Sequence, residues 1–429
     1  MKAPRNLVIL AMDALRADHL PFYGYSRDTA PNLARRAGSA VIFENAIAPS
    51  SWTLPSFASL FTSLHPHQHG MNSRHRFLPE EHPILSELLQ AAGLRTASFT
   101  GGHFLDPLFG FSRGFDLHRP CGWPLCRFFP ETAPQAARWI RKNADKDFFA
   151  FVHGNDLHPP FDARGQDEEH AHAFDEGYRG PADEAFVDYM FTYLYNRAPV
   201  EVAGFVPPER YRKTVEAVRA DPKALAHIVA HYDSRIREAD AAVEQVFKTL
   251  EETGRMKDTL VVMLADHGME WGEKGRLATG CHAALYETLT HVPLLLWHPS
   301  LSARRVYSPV QLADLGPTLL ELLKKERPRA WRDASFAALA QGAPARAPRH
   351  AFSSSSLIGD PENRILLHSV RDERWKLICD PFSGKRELYD LEKDRAETLE
   401  LSEREPAQCA RLGQALKEHL GTPLCEQAR

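Results

Sequence analysis

The chain alternates short apolar runs with longer amphipathic segments. Four uninterrupted apolar runs are typical of strands buried on both faces: NLVILAM at 6–12, FFAFV at 148–152, TLVVML at 259–264 and PLLLW at 293–297. Apolar residues at helical spacing lie between or after these runs, at 55–64, 84–92, 133–142, 236–252 and 312–323. Strands that alternate with helices predict an α/β fold, with a mostly parallel central sheet and helices on both faces.

Two stretches interrupt this alternation. Residues 162–230 are rich in charge, His and aromatic residues and contain no clear strand, so we interpret them as a partly helical cap inserted near the site. Residues 329–349, rich in Ala, Arg and Pro, have the composition of a linker. Beyond them, HSVRDERWKLICD and ELYDLEKD, joined by a turn at Ser383-Gly384, predict antiparallel strands. The predicted organisation is a catalytic domain over 1–328, the linker over 329–349, and a small C-terminal antiparallel α+β subdomain over 350–429.

Composition narrows the function classes. The 429 residues are 43% hydrophobic and 25% charged, a globular balance, and the net charge of -4 offers no basic surface for nucleic acid or an anionic membrane. No stretch approaches the roughly 20 apolar residues of a membrane span, and the N-terminal apolar run is too short for a secretory signal. The six Cys form no CxxC pair, which favours reduced thiols. We expect a cytoplasmic protein with no membrane or nucleic-acid partner; homo-oligomerisation stays open.

Polar residues follow two of the apolar runs directly. Ligands in such folds bind beyond the carboxyl ends of the strands, where Asp13 and the pair Asp266-His267 stand. Carboxylate and imidazole groups are ligands for divalent cations. Adjacent side chains of a strand face opposite ways, so Asp266 and His267 can share a metal only if the chain turns there, which Gly268 allows. The alternative is that Asp13 and Asp266 are helix N-caps.

Thr53 precedes a predicted helix in SSWTLPSFASLFTSL, with Pro55 in the first turn. A hydroxyl there faces free backbone N–H groups and the positive end of the helix dipole, a setting that favours bound anions. The alternative is a simple Thr N-cap. An aliphatic alcohol needs a metal or a base to become a nucleophile near neutral pH, and the two strand tips could supply the metal.

A series of blocks from near residue 6 to near residue 400 resembles the sulfatase-like members of the alkaline phosphatase superfamily. The ordered set, rather than any one block, makes the resemblance specific. The blocks are NLVILAMDALRADHLPFYGYSRDTAPNLARRAG, APSSWTLPSFASLFTSLHPHQHG, GLRTASFTGGHF, FFAFVHGNDLHPPF, VVMLADHGMEWGEKG, HAALYETLTHVPLLLW, VQLADLGPTLLELL and WKLICD…ELYDLEKD.

The resemblance implies roles for particular residues. Asp13, Asp266 and His267 match the family's metal-binding positions, and Thr53 matches the nucleophile, which also ligates the metal. The turn LHPHQHG also looks like a family feature, so its three His are interpreted as structural rather than as a zinc site.

Three further His match substrate-contacting positions in the resemblance. His158 in DLHPP and His282 in GCHAALYE match positions that contact the transferred group or the leaving oxygen. His103 lies where the family often places another substrate-contacting group. Two-metal relatives would need a second ligand set, which Asp156, His158 and His282 could form. Because DLHPPF resembles the sulfatase-like branch more closely, we predict one metal per chain.

The sequence also departs from the sulfatase pattern. True sulfatases carry a Cys or Ser, converted to formylglycine, in C/S-x-P-S/A-R, whereas residues 53–57 read TLPSF. A Thr cannot be oxidised to that aldehyde, and Phe57 replaces the Arg. Ala14 stands where a second acidic residue is usual, and His267 where many sulfatases have Asn. This ligand set favours Mn²⁺ or Zn²⁺, with Ca²⁺ and Mg²⁺ as alternatives.

Thr nucleophiles followed by an Asp-His pair resemble the phosphodiesterase and phosphonate-ester branches of the superfamily. We therefore predict a metal-dependent hydrolase of small anionic phosphate-type esters, either phosphodiesters or phosphonate and phosphate monoesters, with a covalent Thr53 intermediate. The alternatives are a sulfatase that works without formylglycine, a phospho-group transferase, and a catalytically dead binding module. The presence of Asp13, Thr53 and Asp266 argues against the last.

Overall fold

The computed structural model describes most of the chain. The described residues are 3–121, 128–158, 173–174, 178, 216, 218, 220–277, 284–331, 335–345, 349–360 and 362–421. They cover all four predicted apolar runs and most of the predicted C-terminal subdomain. Most of the predicted cap over 162–230 lies outside them.

The described strands form three sheets. In chain order the strands are β1 Asn6–Met12, β2 Val41–Phe43, β3 Ala46–Ile47, β4 Arg95–Phe99, β5 Leu117–Arg119, β6 Phe148–Gly154, β7 Thr259–Leu264, β8 His291–Val292, β9 Leu294–Trp297, β10 Arg304–Val306, β11 Val310–Gln311, β12 Ala351–Ser356, β13 Ile365–Arg371, β14 Trp375–Cys379 and β15 Arg386–Asp390. The largest sheet has eight strands in the order β10-β2-β9-β7-β1-β6-β4-β5.

The eight-stranded sheet is mixed but mostly parallel. Strand β9 is antiparallel to both of its neighbours, β2 and β7, and all other pairs in this sheet are parallel. Strands β1, β6 and β7 are buried at every position, as central strands covered on both faces must be. The predicted α/β class with a mostly parallel sheet is therefore confirmed.

The register of the central strands brings their carboxyl ends together. Ala11 of β1 pairs with His153 of β6 on one side and with Leu264 of β7 on the other. The segments that follow β1, β6 and β7 consequently emerge side by side at one edge of the sheet. This edge is where the strand-tip residues of the sequence are expected.

The described α-helices are α1 Pro31–Ala37, α2 Thr53–Thr62, α3 Pro66–His69, α4 Leu85–Ala91, α5 Phe129–Lys142, α6 Pro222–Glu252, α7 Glu287–Thr290, α8 Leu315–Leu322, α9 Ala337–Ala340 and α10 Pro406–Leu420. Helix α5 packs against β4, β6 and the long helix α6, whereas α2 packs with α3, α4 and α8. All ten residues of α2 are buried. None of the described helices is both long enough and apolar enough to span a membrane.

The C-terminal part forms its own small sheet. Strands β12, β13, β14 and β15 are consecutive and antiparallel, and α10 packs on β13 and β14 around a separate apolar cluster. The turn between β14 and β15 contains Gly384 at φ +73°, as the predicted turn at Ser383-Gly384 requires. The predicted antiparallel α+β subdomain is present.

Part of the segment 329–349 packs on the large domain. Trp331 and Phe336 are buried in the main apolar core, and Phe336 contacts Phe43 of β2 edge to face. This stretch therefore adds apolar surface to the core as well as joining the two parts of the chain. The third sheet, of order β11-β3-β8, lies within the residues that precede the segment.

Candidate active site

Three predicted metal ligands lie together at the carboxyl edge of the sheet. Asp13 follows β1, and Asp266 and His267 follow its neighbour β7. All three side chains are buried, and their ligand atoms lie within 4.8 Å of one another. The structure thus brings together the residues that the strand tips predict, and the candidate N-cap role does not explain why they meet.

Each of the two carboxylates keeps one buried oxygen without a hydrogen bond. Asp13 Oδ1 and Asp266 Oδ2 have no hydrogen-bond partner among the described residues. The other oxygen of Asp266, Oδ1, accepts from the backbone N–H groups of Ala14 at 3.2 Å and His267 at 3.0 Å. An unpaired buried carboxylate oxygen is costly, so this arrangement fits a bound cation.

The two carboxyl groups differ in their electrostatic setting. Burial, and then the charge of Asp13, raises the pKa of Asp266. Burial acts on Asp13 in the same direction, but the imidazole of His153 and the charge of His267 outweigh it, so the pKa of Asp13 is lowered. Asp13 is therefore the more firmly anionic ligand, and a cation would favour the charged form of Asp266.

The tautomer of His267 is fixed by its own loop. Nδ1 of His267 lies 2.7 Å from the carbonyl oxygen of Gly268, so Nδ1 carries the proton and donates it to that oxygen. Nε2 is left with its lone pair and lies 3.4 Å from Asp13 Oδ1 and 3.7 Å from Asp266 Oδ2. Held in this way, the imidazole turns Nε2 to the two carboxylates, the orientation that a metal ligand needs.

The turn after β7 needs a glycine because of close packing. A Cβ on Gly268 would lie 2.0 Å from the carbonyl oxygen of Thr288, and the Gly268 N–H donates to Leu289 O at 2.9 Å. Gly268 does not have a positive φ, so the requirement is space rather than a left-handed backbone. The loop that carries Asp266 and His267 is thereby fixed against α7.

The backbone after β1 has an unusual conformation. Ala14 has φ +59°, a left-handed conformation that costs an ordinary residue about 1–2 kcal/mol. Its N–H donates to Asp266 Oδ1, and its carbonyl oxygen accepts from the hydroxyl of Tyr232 at 2.8 Å. The buried Ala14 methyl offers no ligand, so one acidic group fewer surrounds this site than the family pattern would provide.

Thr53 is the first residue of α2, and its hydroxyl lies close to two of the candidate metal ligands, Asp13 and His267. Trp52 occupies the N-cap position and provides no side-chain cap, so the alternative of Thr53 as the N-cap is wrong. The Thr53 Oγ1 lies 3.4 Å from Asp13 Oδ2 and 3.3 Å from His267 Nε2. Ser56 in the same turn donates its hydroxyl to Asp266 O at 2.6 Å, which ties the start of α2 to the loop after β7.

His103 and His158 both lie near this group. The charge of His158 lowers the pKa of Asp13, and burial followed by the charge of His158 lowers the pKa of His103 to about 4. His103 is therefore neutral at physiological pH. It opens the short 3-10 helix His103–Leu105, and its ring contacts Phe104, which packs on Trp52. His282, the third predicted substrate-contacting His, lies outside the described residues.

Asp156 has a structural partner rather than a metal partner. Both of its carboxylate oxygens accept from the Phe129 N–H at the start of α5, at 3.0 and 2.9 Å. Burial raises the pKa of Asp156 to about 7. Asp156 therefore caps the start of α5, and His282, another member of the second ligand set considered from the sequence, lies outside the described residues.

Sequence reasoning missed one buried residue of the site. His153, the second-to-last residue of β6, has its Nε2 3.5 Å from Asp13 Oδ2, and its side chain is fully buried. The signal was a single imidazole inside an otherwise apolar strand next to β1. Neighbouring residues of paired parallel strands share a face, so Ala11, His153 and, two residues on, Asp13 project to the same side.

Comparisons with known proteins place this geometry in a family. Residues 5–325 match the family model described as Sulfatase, and residues 282–423 match the one described as N-sulphoglucosamine sulphohydrolase, C-terminal. A Delta 4,5-hexuronate-2-O-sulfatase of Bacteroides thetaiotaomicron is 25% identical over 425 residues, which cover 92% of this chain and 84% of that protein.

Solved structures share the fold. A 2-O GAG sulfatase superposes with a TM-score of 0.75 at 22% identity, covering 98% of this chain and 92% of that one. The phosphonate monoester hydrolase of Agrobacterium radiobacter superposes with a TM-score of 0.74 at 20% identity, covering 99% and 96%. The Sulfatase match spans most of the chain, and enzymes of this family hydrolyse esters with the help of a metal. This chain therefore belongs to the Sulfatase family of the alkaline phosphatase superfamily and is an ester hydrolase.

Proposed function

We propose that the protein is a divalent-metal-dependent hydrolase of small anionic phosphate-type esters, with Thr53 as the nucleophile. The observation that carries this proposal is the position of the Thr53 hydroxyl. Its Oγ1 lies within 3.4 Å of both Asp13 Oδ2 and His267 Nε2, at the amino end of a buried helix. That setting combines a proton acceptor for the hydroxyl, Asp13 Oδ2, with a positive helix end for an anionic substrate.

The donor set supports Mn²⁺ or Zn²⁺ as the cation, one per chain. Asp13 and Asp266 offer hard oxygens and His267 offers a nitrogen, and such a mixed set suits these ions better than Ca²⁺. When bound, the cation would make the nearby hydroxyl more acidic and would offset charge on the ester. Thr53 would complete its ligands.

The chain's own residues account for the covalent chemistry. Oγ1 of Thr53 loses its proton to a neighbouring acceptor and forms a bond to phosphorus as the bond from phosphorus to the leaving oxygen breaks. The leaving oxygen takes a proton from His158 or His282. Water then attacks phosphorus, the bond from phosphorus to Oγ1 breaks, and Oγ1 takes up the proton that the water loses as the acid product leaves. If an acceptor alcohol took the place of water, the same residues would catalyse group transfer.

A second candidate is a sulfatase that uses Thr53 directly. The curated relatives with sulfatase names favour it. Thr53 cannot become formylglycine, and the neighbouring Phe57 is fully buried against Phe151 and His153, with no Arg at this position to assist. We therefore place phosphate-type esters first and sulfate esters second.

A panel of nitrophenyl esters separates the candidates. Wild type would be assayed with Mn²⁺, Zn²⁺, Mg²⁺ and Ca²⁺ on a phosphate monoester, a phosphodiester, a phosphonate monoester and a sulfate. The proposal expects the highest kcat/KM on a phosphorus ester with Mn²⁺ or Zn²⁺. A clear preference for the sulfate would favour the second candidate, and release of nitrophenol only in the presence of an added alcohol would indicate a transferase.

A further inference from the structure

His153 is a buried imidazole in direct contact with the metal-ligand group. It is the sixth residue of β6, fully buried, and its Nε2 lies 3.5 Å from Asp13 Oδ2. It is not part of the close group formed by Asp13, Asp266 and His267. The two oxygens of Asp13 face different neighbours: Oδ2 lies near His153, and Oδ1 lies 3.4 Å from His267 Nε2.

The backbone beside His153 determines which nitrogen carries the proton. The N–H of Gly101 donates to His153 Nδ1 at 3.3 Å. Because Nδ1 accepts, the neutral ring carries its hydrogen on Nε2. Asp13 Oδ2 lies 3.5 Å from Nε2, and Nε2 forms no hydrogen bond among the described residues.

The ring of His153 is held in place from several directions. Phe57 of α2 packs edge to face against it at a centroid distance of 5.3 Å, and Phe151 stacks parallel to it at 6.4 Å. Gly102 also packs closely, because a Cβ there would lie 3.1 Å from His153 Cε1 and 3.2 Å from Asn155 Oδ1. Phe57, which stands where sulfatases carry an Arg, thus has a defined role as one wall of this imidazole site.

We propose that His153 is a positioning residue for the metal site, donating from Nε2 to Asp13 Oδ2. This inference rests on the proposed metal-dependent function. With Oδ2 held by His153, the carboxylate of Asp13 presents Oδ1 towards His267 and Asp266. The Nε2–H dipole also offsets part of the negative charge of the two buried carboxylates. Partners of this kind fix the orientation of a ligand and raise metal affinity.

The test compares metal affinity in matched variants. His153→Leu removes the donor and replaces the ring with an apolar side chain of similar size. His153→Gln retains an N–H donor at about the reach of Nε2. His298→Leu is the control, because His298 is another buried imidazole, and it follows β9 at the opposite edge of the sheet. Thermal unfolding of the metal-free proteins checks that all of them fold.

Mn²⁺ dissociation constants from chelator competition give the first readout. Partners of this kind contribute roughly 10- to 100-fold in metal affinity, so His153→Leu should weaken binding by about that factor. His153→Gln should recover most of the loss, and His298→Leu should leave the affinity unchanged. Wild-type affinity in folded His153→Leu would overturn the proposal, as would a full loss in His153→Gln.

Pulsed EPR of bound Mn²⁺ with ¹⁵N-labelled histidine gives the second readout. A positioning role predicts coordinated nitrogen from His267 alone, with the same signal in His153→Gln. A second coordinated nitrogen that disappears in His153→Gln would make His153 a direct ligand and overturn the positioning role. Asp266→Ala separates a failure of the proposed metal site from a failure of the role of His153. If this variant bound Mn²⁺ as tightly as wild type, the proposed metal site itself would be wrong. If it lost Mn²⁺ while His153→Leu bound Mn²⁺ normally, only the role of His153 would be refuted.

Discussion

At the scale of single residues, the candidate site depends on closely packed polar side chains. Asp13 lies 3.4 Å from both Thr53 and His267 and 3.5 Å from His153. The unpaired oxygens Asp13 Oδ1 and Asp266 Oδ2 fit a bound cation. Glycines at the rim permit this crowding. Gly268 is the clearest case, since any side chain there would meet the backbone of α7.

We expect Gly268→Ala to cost stability and metal affinity together. The added Cβ would lie 2.0 Å from Thr288 O, so the loop carrying Asp266 and His267 must shift. Overpacking of this kind costs about 1–3 kcal/mol, which denaturant unfolding can measure. Gly38→Ala is the control, because its Cβ would meet only Arg35 O at 3.8 Å and its φ of -60° suits alanine. Equal stability of the two variants would show that the close approach is not needed.

Much of the residue-level site could be predicted from the sequence, and the reason is local. Asp13, Asp266 and His267 directly follow buried apolar runs, and Thr53 directly precedes a helical pattern, so each is marked by its own neighbours in the chain. His153 could not be found in this way, because its importance comes from the register of β6 on β1. Nor could the left-handed conformation of Ala14, which is held by contacts with Asp266 and Tyr232 more than 200 residues away.

At the scale of secondary-structure elements, the site is assembled from the ends of β1 and β7 and the start of α2. The strand boundaries predicted from apolar runs are close to those observed. The strands Asn6–Met12 and Thr259–Leu264 begin and end at the same residues as their runs. The direction of β9 was not predictable from its run PLLLW, because an apolar run has the same composition in either orientation. The short strands β2, β3, β5, β8, β10 and β11 were not predicted, because two or three residues carry no period, and the five-residue strand β4 was not predicted either.

The element-scale account predicts that the metal is lost when one strand tip is changed. Purified wild type should carry about one equivalent of metal per chain, and Asp266→Ala should carry far less, because the two strand tips share the ion. Elemental analysis measures both. Asp240→Ala is the matched control: Asp240 is equally buried but caps α1 through Asn32 and Leu33. Unchanged metal content in Asp266→Ala would show that these strand tips are not the metal site.

At the scale of the whole molecule, buried polar groups join the C-terminal subdomain to the catalytic domain. Glu287 of α7 forms ion pairs with Arg371 at 2.6 Å and with Lys376 at 3.0 Å, and Lys376 also pairs with Glu397 at 3.1 Å. The predicted structural role of the LHPHQHG turn is consistent with a second contact here, because His65 packs against His419 of α10.

This second contact should make the stability of the protein sensitive to mild acid. His419 stacks on Phe352 at 3.8 Å, and burial, followed by the charge of His67, lowers the pKa of His419 to about 3. Below about pH 6.5, therefore, His419 is protonated in the unfolded chain but stays neutral in the folded chain. Stability from this group is complete above that pH and is lost progressively as the pH falls towards 3.

The variant His419→Phe isolates this effect, because phenylalanine preserves the stacking and cannot be protonated. The slope of unfolding free energy against pH between 4.5 and 6.5 should fall by up to about 1.4 kcal/mol per pH unit relative to wild type. Above pH 7 the two slopes should coincide, which serves as the internal control. Identical slopes in the acid range would mean that His419 is not kept neutral by the fold.

The central claim is that Thr53 is the nucleophile, and the kcat/KM of Thr53→Ala on the ester that wild type hydrolyses best tests it most directly. Loss of a nucleophile should lower this value by roughly 10³-fold or more. The protein should stay folded, because the substitution removes few of the contacts at the start of α2. Thr62→Ala, the same change at the far end of α2, should keep near-wild-type activity, since the Thr62 hydroxyl donates to Ala58 O and accepts from the Leu64 N–H, away from the site. A folded Thr53→Ala that retained activity within about tenfold of wild type would contradict the account.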